Sequence, residues 1–134
     1  MKPKTNWTLI PFNVGGFDAD SGLTGRKNVL WYGPRVPTGG GAFAGKDPTK
    51  VDRSGAYFAR KIAIEYLKEY DEVLVEIAFV IGKTKPVMFK INGKSEDCPF
   101  TVQDIIRTLD LKKPIYKEAS LKGHFGHNQF AWEK

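Results

Sequence analysis

Val73, Val75, Ile77, Phe79 and Ile81 fall on every second position between Glu72 and Ile81. That period predicts a β-strand with one large apolar face. Pro86 to Ile91 predicts a second strand, closed by Asn92-Gly93, a dipeptide that suits a tight hairpin turn. A different period precedes them. Val51, Phe58, Ile62, Ala63, Tyr66, Leu67 and Tyr70 recur at helical spacings and predict an amphipathic helix. Asp47 is its expected N-cap, with Pro48 at the first helical position. Gly55 leaves open a later start, near Asp52. Thr101-Val102-Gln103-Asp104 has the form of a capping box and predicts a short helix ending about Leu109. Earlier in the chain, Trp7 to Val14 and Lys27 to Tyr32 read as strands. Residues 17–26 are turn-rich, and Gly33 to Gly45 is a long loop rich in glycine and proline. The last twenty-five residues have no clean period. They are expected to be irregular and packed by their aromatics, with room for one short strand.

The order β, β, α, β, β, α and tail predicts an α+β fold. Its expected form is a two-layer sandwich, with helices on one face of a mostly antiparallel sheet. The length of 134 residues suits one domain. Residues 1–11 are expected to form a tail and the start of the first strand, with the domain proper at 12–134.

Composition narrows the class. A chain that is 41% hydrophobic and 13% aromatic has the makings of a folded core. No apolar run approaches the ~20 residues of a membrane span. MKPKTNW carries no apolar h-region, so no signal peptide is expected. Cys98 is the lone cysteine. It can form no internal disulfide, which fits a reducing, cytoplasmic setting.

The net charge of +6 favours an anionic partner. Arg26, Lys27, Arg35, Lys46, Lys50 and Arg53 crowd one glycine-rich region, but Asp18, Asp20, Asp47 and Asp52 lie among them. Nucleic-acid patches are less diluted by acids, so nucleic acid is not the expected partner. Interleaved cations and carboxylates suit a metal–phosphate ligand, because Mg²⁺ needs carboxylates and phosphate oxygens need cations. The segment GGGAFAGKDPTKVDRSGAYFAR, residues 39–60, begins with Gly39, Gly40 and Gly41. Glycine lets backbone N–H groups approach phosphate, and a helix N-terminus adds favourable partial charge. Lys46 and Lys50, four apart, would share a face if both were helical. The segment lacks the spacing of a Walker A loop. By pattern, a phosphate cradle and a solvated loop both remain open. SGLTGRK, residues 21–27, offers the same choice. His124 and His127 lack the companions of a metal site and are expected to be packing or turn residues. Ser21, Ser54 and the histidines form no nucleophile–base signature. Phe12, Phe17, Trp31 and Tyr32 are candidates for stacking on a base or for the core.

GLTGRK at 22–27, the segment at 39–60, LDLKKPIY at 109–116 and GHFG at 123–126 together resemble the S-adenosylmethionine synthetase (methionine adenosyltransferase) family. The resemblance runs from about Phe12 to Lys134 and covers the C-terminal part of the family's longer chain. It implies a β-α-β-β-α-β domain and an active site shared between two subunits. The implied reaction joins methionine sulfur to C5′ of ATP, releases triphosphate and then hydrolyses it. The implied ions are Mg²⁺ and, usually, K⁺. By position, Asp20 would contact methionine, while Arg26, Lys27 and Lys46 would bind polyphosphate. Lys50 would sit near phosphate and the methionine carboxylate, and Asp52 would support Mg²⁺. Phe12 would stack on adenine, and Ile81 would line the methionine side chain.

Several positions depart from the family pattern. Phe17-Asp18-Ala19 stands where Pro-Met-Gly is usual, and Leu30-Trp31 replaces an Asp-Thr pair. Thr38 replaces a histidine and Ala44 a serine. The family's Gly-His-Pro-Asp segment, its K⁺ ligand and its lid loop have no counterpart in this sequence. Two functions therefore stand as expectations. One is a synthetase that works as a homo-oligomer, or in a hetero-complex with a synthetase N-terminal half. The other is a non-catalytic module that binds ATP, S-adenosylmethionine or polyphosphate, or docks on a complete synthetase.

Overall fold

The computed structural model describes Val36, Gly41, Ala42 and residues 44–134. The strands expected at 7–14 and 27–32 lie outside them. The described residues form an α+β unit. Helix α1 spans Val51–Tyr66 and is followed by strands β1 (Val75–Ala78), β2 (Met88–Ile91) and β3 (Lys94–Ser95). Helices α2 (Val102–Thr108) and α3 (Tyr116–Lys122) come next, and a 3₁₀ turn at Ala131–Glu133 ends the chain.

The sheet is antiparallel in the order β1-β2-β3. Val75 pairs with Ile91 and Ile77 with Phe89, so these four side chains share one face. Phe89 and Ile91 are buried there, with Val75 and Ile77 packed beside them. Asn92 and Gly93 close the β2–β3 hairpin with φ of 50° and 79°. Both values are left-handed, as a type I′ turn requires. Asn92 also ties the turn to the approach of β1. Its Oδ1 accepts from Leu74 N at 2.7 Å, and its Nδ2 donates to Glu72 O at 3.2 Å.

Helix α1 packs against β1, α2 and the 3₁₀ turn. Its buried face carries Tyr57, Phe58 and Ile62. The Tyr57 ring stacks on Trp132 at 3.8 Å and 2°, and Trp132 stacks on Phe130 at 4.6 Å. Ile105, Leu109 and Leu111 complete the core behind them. The aromatic packing expected of the tail is thus found, and Trp132 is fully buried.

The capping box behaves as its sequence predicts. Thr101 Oγ1 accepts from Asp104 N at 3.2 Å, and the Asp104 carboxylate accepts from Thr101 N at 2.9 Å. The same carboxylate accepts from Thr101 Oγ1 at 2.6 Å, and this bond first, then the one from Thr101 N, holds the Asp104 carboxyl below its usual range.

Four expectations are corrected. The strand expected from Glu72 to Ile81 has a ladder of four residues, Val75–Ala78. Its last rung is Val87 N donating to Ala78 O, and a turn then bonds Lys83 N to Val80 O at 3.0 Å. Ile81 sits on that turn, 79% exposed, off the apolar face. Helix α1 begins at Val51, beside the later start near Asp52 that the sequence left open, and not at Pro48; Lys50 is its N-cap. The Asp47 carboxylate is engaged earlier, accepting from Thr49 N at 2.9 Å and closing a Pro48–Thr49 turn. Leu67 and Tyr70 are exposed and beyond the end of α1. The tail contains a helix, α3, and no strand among its residues. Only Ala119 of α3 is buried, so no apolar period marks it.

Gly55 does not interrupt α1. It is buried, and a Cβ there would lie 2.8 Å from Phe79 Cε2. The glycine lets the first turns of α1 lie directly on the sheet.

Asn92 gives a clean test of the hairpin. Asn92→Ala loses two hydrogen bonds and forces alanine to φ 50°. It should lower unfolding stability by about 2 kcal/mol. Asn92→Gly relieves the backbone part and should recover a fraction of that loss. Urea midpoints of the two variants separate the contributions, and equal losses would show that backbone strain plays no part.

Candidate functional site

The first turn of α1 and the segment before it gather the charged residues. Lys46 Nζ is paired with the Asp52 carboxylate, and Gly41 lies against the same group. A Cβ on Gly41 would overlap the Asp52 side chain and lie 2.8 Å from Asp52 Cβ. Glycine is therefore required at 41 for this approach. The pair is partly open to solvent, at 29% and 36% exposure. In that setting it contributes about 1 kcal/mol or less. It is an arrangement that a phosphate or a metal ion can enter at small cost.

Lys50 is exposed at the helix mouth. Lys50, the N-cap residue, makes no side-chain cap hydrogen bond. Two neighbouring side chains reach back to fix this segment. Arg53 donates through a terminal guanidinium nitrogen to Lys46 O, and Ser54 Oγ donates to Lys50 O at 3.1 Å. The carbonyls of both lysines are thus held by consecutive residues of one helical turn.

Arg53 is itself buried, 4% exposed. Its guanidinium carbon lies 3.9 Å from the centroid of the Tyr116 ring. A desolvated cation over a ring face gains about 2 kcal/mol. No carboxylate among the described residues pairs with Arg53, so the ring and the Lys46 carbonyl take that role. Burial pushes the Tyr116 phenol above its usual pKa, with Arg53 opposing. The phenol stays protonated and donates to Leu111 O.

Behind Arg53 lies His124, 2% exposed. Its Nδ1 is 2.8 Å from Tyr57 Oη, and its carbonyl accepts from Trp132 Nε1 at 2.7 Å. Burial first, and then the Arg53 charge, lower its pKa to about 4. The imidazole is neutral at pH 7 and serves as packing, as expected. His127 Nε2 donates to Lys122 O at 2.7 Å. No group of three or more His, Cys, Asp or Glu side chains is placed to hold a metal among the described residues. Among the described residues the donor set at the pair with Lys46 is one carboxylate, Asp52. That fits Mg²⁺ only where substrate phosphates supply other ligands, which is the usual habit of this ion.

Of the residues expected at the site, Gly41, Lys46 and Asp52 meet. Lys50 stands at the helix mouth without a described side-chain partner. It is not on a shared helical face with Lys46, because neither lies within α1. Ile81 points to solvent on the turn after β1. Phe12, Asp20, Arg26, Lys27, Gly39 and Gly40 lie outside the described residues. Sequence reasoning counted Arg53 among the basic residues but missed its buried position. The available signal was its spacing of four from Tyr57, which puts both on one helical face. Nothing local marks Tyr116 as its partner.

The described residues define a small α+β unit with a lysine–aspartate pair at a helix entrance. The comparison with known proteins makes this specific. Residues 14–134 match the model of the S-adenosylmethionine synthetase, C-terminal domain, family, and the chain belongs to that family. It is 41% identical to the S-adenosylmethionine synthase of Deinococcus deserti over 100% of this chain and 38% of that protein. Against the S-adenosylmethionine synthase of Thermus thermophilus it is 44% identical, over 98% of this chain and 38% of the relative. The synthase of Nitratiruptor sp. is 44% identical over 92% of this chain and 37% of its own length. The chain thus spans well under half the length of the curated relatives it matches. No helix among the described residues is long and apolar enough to cross a membrane.

The buried imidazole predicts a pH signature. The unfolded chain takes up a proton at His124 near pH 6.5, whereas the folded chain resists until about pH 4. Stability should fall as the pH drops through that window, by roughly 3 kcal/mol in total, and this contribution should flatten below it. His124→Gln keeps a polar partner for Tyr57 and cannot titrate. The difference between the two stability–pH curves should change between pH 6.5 and 4. Parallel curves would refute the buried neutral histidine.

Proposed function

We propose that this chain supplies a polyphosphate- and metal-binding part of a methionine adenosyltransferase site. It would act in a homo-oligomer, or together with a chain that carries the family's N-terminal half. The observation that carries the reading is the Lys46–Asp52 pair, closed over by Gly41 at the mouth of α1. A cation and a carboxylate at one point are what a metal-bound phosphate chain needs. The names of the relatives supply the reaction, since each is an S-adenosylmethionine synthase.

In this reading Lys46 leaves Asp52 and grips phosphate oxygens of ATP. Lys50 adds a second cation from the helix mouth. Both stabilise charge that builds on the triphosphate as its bond to C5′ breaks. Asp52 would hold Mg²⁺ jointly with those oxygens, and the ion would supply further neutralisation of phosphate charge. The expected roles of Arg26 and Lys27 on polyphosphate, Asp20 and Ile81 on methionine, and Phe12 on adenine complete the proposal. K⁺ remains a candidate activator whose family ligand has no counterpart in this sequence.

The test combines binding with turnover. The purified chain, alone and with a synthetase N-terminal half, is incubated with ATP, methionine, Mg²⁺ and K⁺. Formation of S-adenosylmethionine supports the enzyme. Tripolyphosphate binding by calorimetry without turnover supports a binding module instead, and neither signal removes both readings. Lys46→Met should weaken tripolyphosphate binding by about thirtyfold, the size of one charged hydrogen bond. Asp52→Asn should weaken binding only when Mg²⁺ is present.

A further inference from the structure

The strongest unassigned feature is the buried guanidinium behind the Lys46–Asp52 pair. We propose that Arg53 is a positioning residue of this anion site. It is held by the Tyr116 ring and it fixes the Lys46 backbone, so that the Lys46 ammonium stays at Asp52. The inference rests on the reading of Lys46 and Asp52 as phosphate and metal groups, and it adds what keeps them there.

Three observations carry it. Arg53 follows Asp52 in the chain, yet its side chain turns inward and grips the Lys46 carbonyl. The guanidinium is 4% exposed and lies 3.9 Å from the Tyr116 ring centroid, so it has little freedom to swing away. Arginine presents a planar fork of donors, which allows one edge to bond a carbonyl while the face rests on a ring. Lysine has neither the plane nor the reach of that fork. The neighbouring Ser54 holds Lys50 O at 3.1 Å in the same manner. One turn of α1 therefore sets the backbone of both candidate phosphate lysines. Tyr116 is placed by a different element. It opens α3, and its hydroxyl is bonded to Leu111 O in the preceding loop. A segment more than sixty residues away in sequence thus determines where Lys46 sits.

The test reads Lys46 directly. The full chain is treated briefly with an amine-acylating reagent, and labelling at Lys46 and Lys50 is quantified by peptide mass spectrometry. In the native chain Lys46 should react more slowly than Lys50, because its ammonium is paired. Arg53→Met and Tyr116→Leu should each raise Lys46 labelling by up to about fivefold relative to Lys50, the most that a part-exposed ion pair can protect. Tyr116→Phe keeps the ring face and should label like the native chain. Circular dichroism establishes that each variant is folded. If Arg53→Met does not fold, Tyr116→Leu against Tyr116→Phe decides the question. Lys46 labelling at the native rate in the folded variants would overturn the proposal. A uniform rise at Lys46, Lys50 and Lys61 would also overturn it, since that is what general loosening produces. Calorimetry with tripolyphosphate separates the two readings. A rise at Lys46 in a chain that binds no tripolyphosphate leaves the positioning intact and removes the ligand assignment. Where the native chain does bind, Tyr116→Leu should lose about tenfold in affinity and Tyr116→Phe should not.

Discussion

A guanidinium taken out of water must find partners, or the fold pays a desolvation cost of several kcal/mol. Arg53 is such a group, and the way it is satisfied shapes everything at the front of α1. Its donors meet the Lys46 carbonyl and its face meets the Tyr116 ring. Each partner comes from a different part of the chain. The loop before the helix must curl back to present a carbonyl, which brings Lys46 beside Asp52. The C-terminal segment must lay Tyr116 across the helix start. Burial of one cation therefore constrains the segment that carries the candidate ligand groups.

The same logic repeats along the helix. Arg53, Tyr57 and Arg60 fall at spacings of four and three, so they form one line on α1. Each meets the C-terminal segment. Arg53 contacts Tyr116, and Tyr57 contacts His124 and Trp132. Arg60 makes two bonds to Glu133, at 3.1 and 3.0 Å, and the Glu133 side chain is only 3% exposed. A bidentate pair of that kind fixes orientation as well as distance. The line alternates charge, aromatic and charge, and the tail follows it residue for residue. This explains why a tail with little regular structure is nonetheless well packed. It also explains why LDLKKPIY and GHFG belong with the glycine-rich segment: they supply Tyr116 and His124, which support the helix that this segment opens.

Much of this was legible from the chain, and the failures have identifiable causes. The capping box at Thr101 and the Asn92-Gly93 turn were readable because each is a local device whose partners lie within a few residues. The α+β class followed from element order. Helix α1 was readable from Phe58 and Ile62, and of its two expected starts the later one, near Asp52, is close to Val51, because Asp47 closes a turn with Thr49 before the helix begins. Helix α3 escaped because it buries a single alanine and so has no period to find. At the site, the charge in the glycine-rich segment marked Lys46 and Asp52 as candidates, and the resemblance to the synthetase family implied their roles. Arg53 sat in the same segment and looked like one more surface cation. Its true environment depends on Tyr116, and no local pattern joins positions so far apart.

A rigid backbone carrying loosely paired side chains is a suitable starting state for binding a charged ligand. Had Lys46 and Asp52 been buried against each other, separating them would leave an uncompensated charge. Had the loop been free, ordering it would cost roughly 1–2 kcal/mol for each residue fixed. This chain avoids both penalties. The carbonyls of Lys46 and Lys50 are held by Arg53 and Ser54 before any ligand arrives. The Lys46–Asp52 pair, by contrast, remains about one-third exposed on each side. Water already screens it, so exchange of one ionic partner for another changes little in solvation. The division places stiffness in the main chain and exchange in the side-chain tips. Gly41 serves the same end, since any side chain there would collide with Asp52 and push its carboxylate away from Lys46.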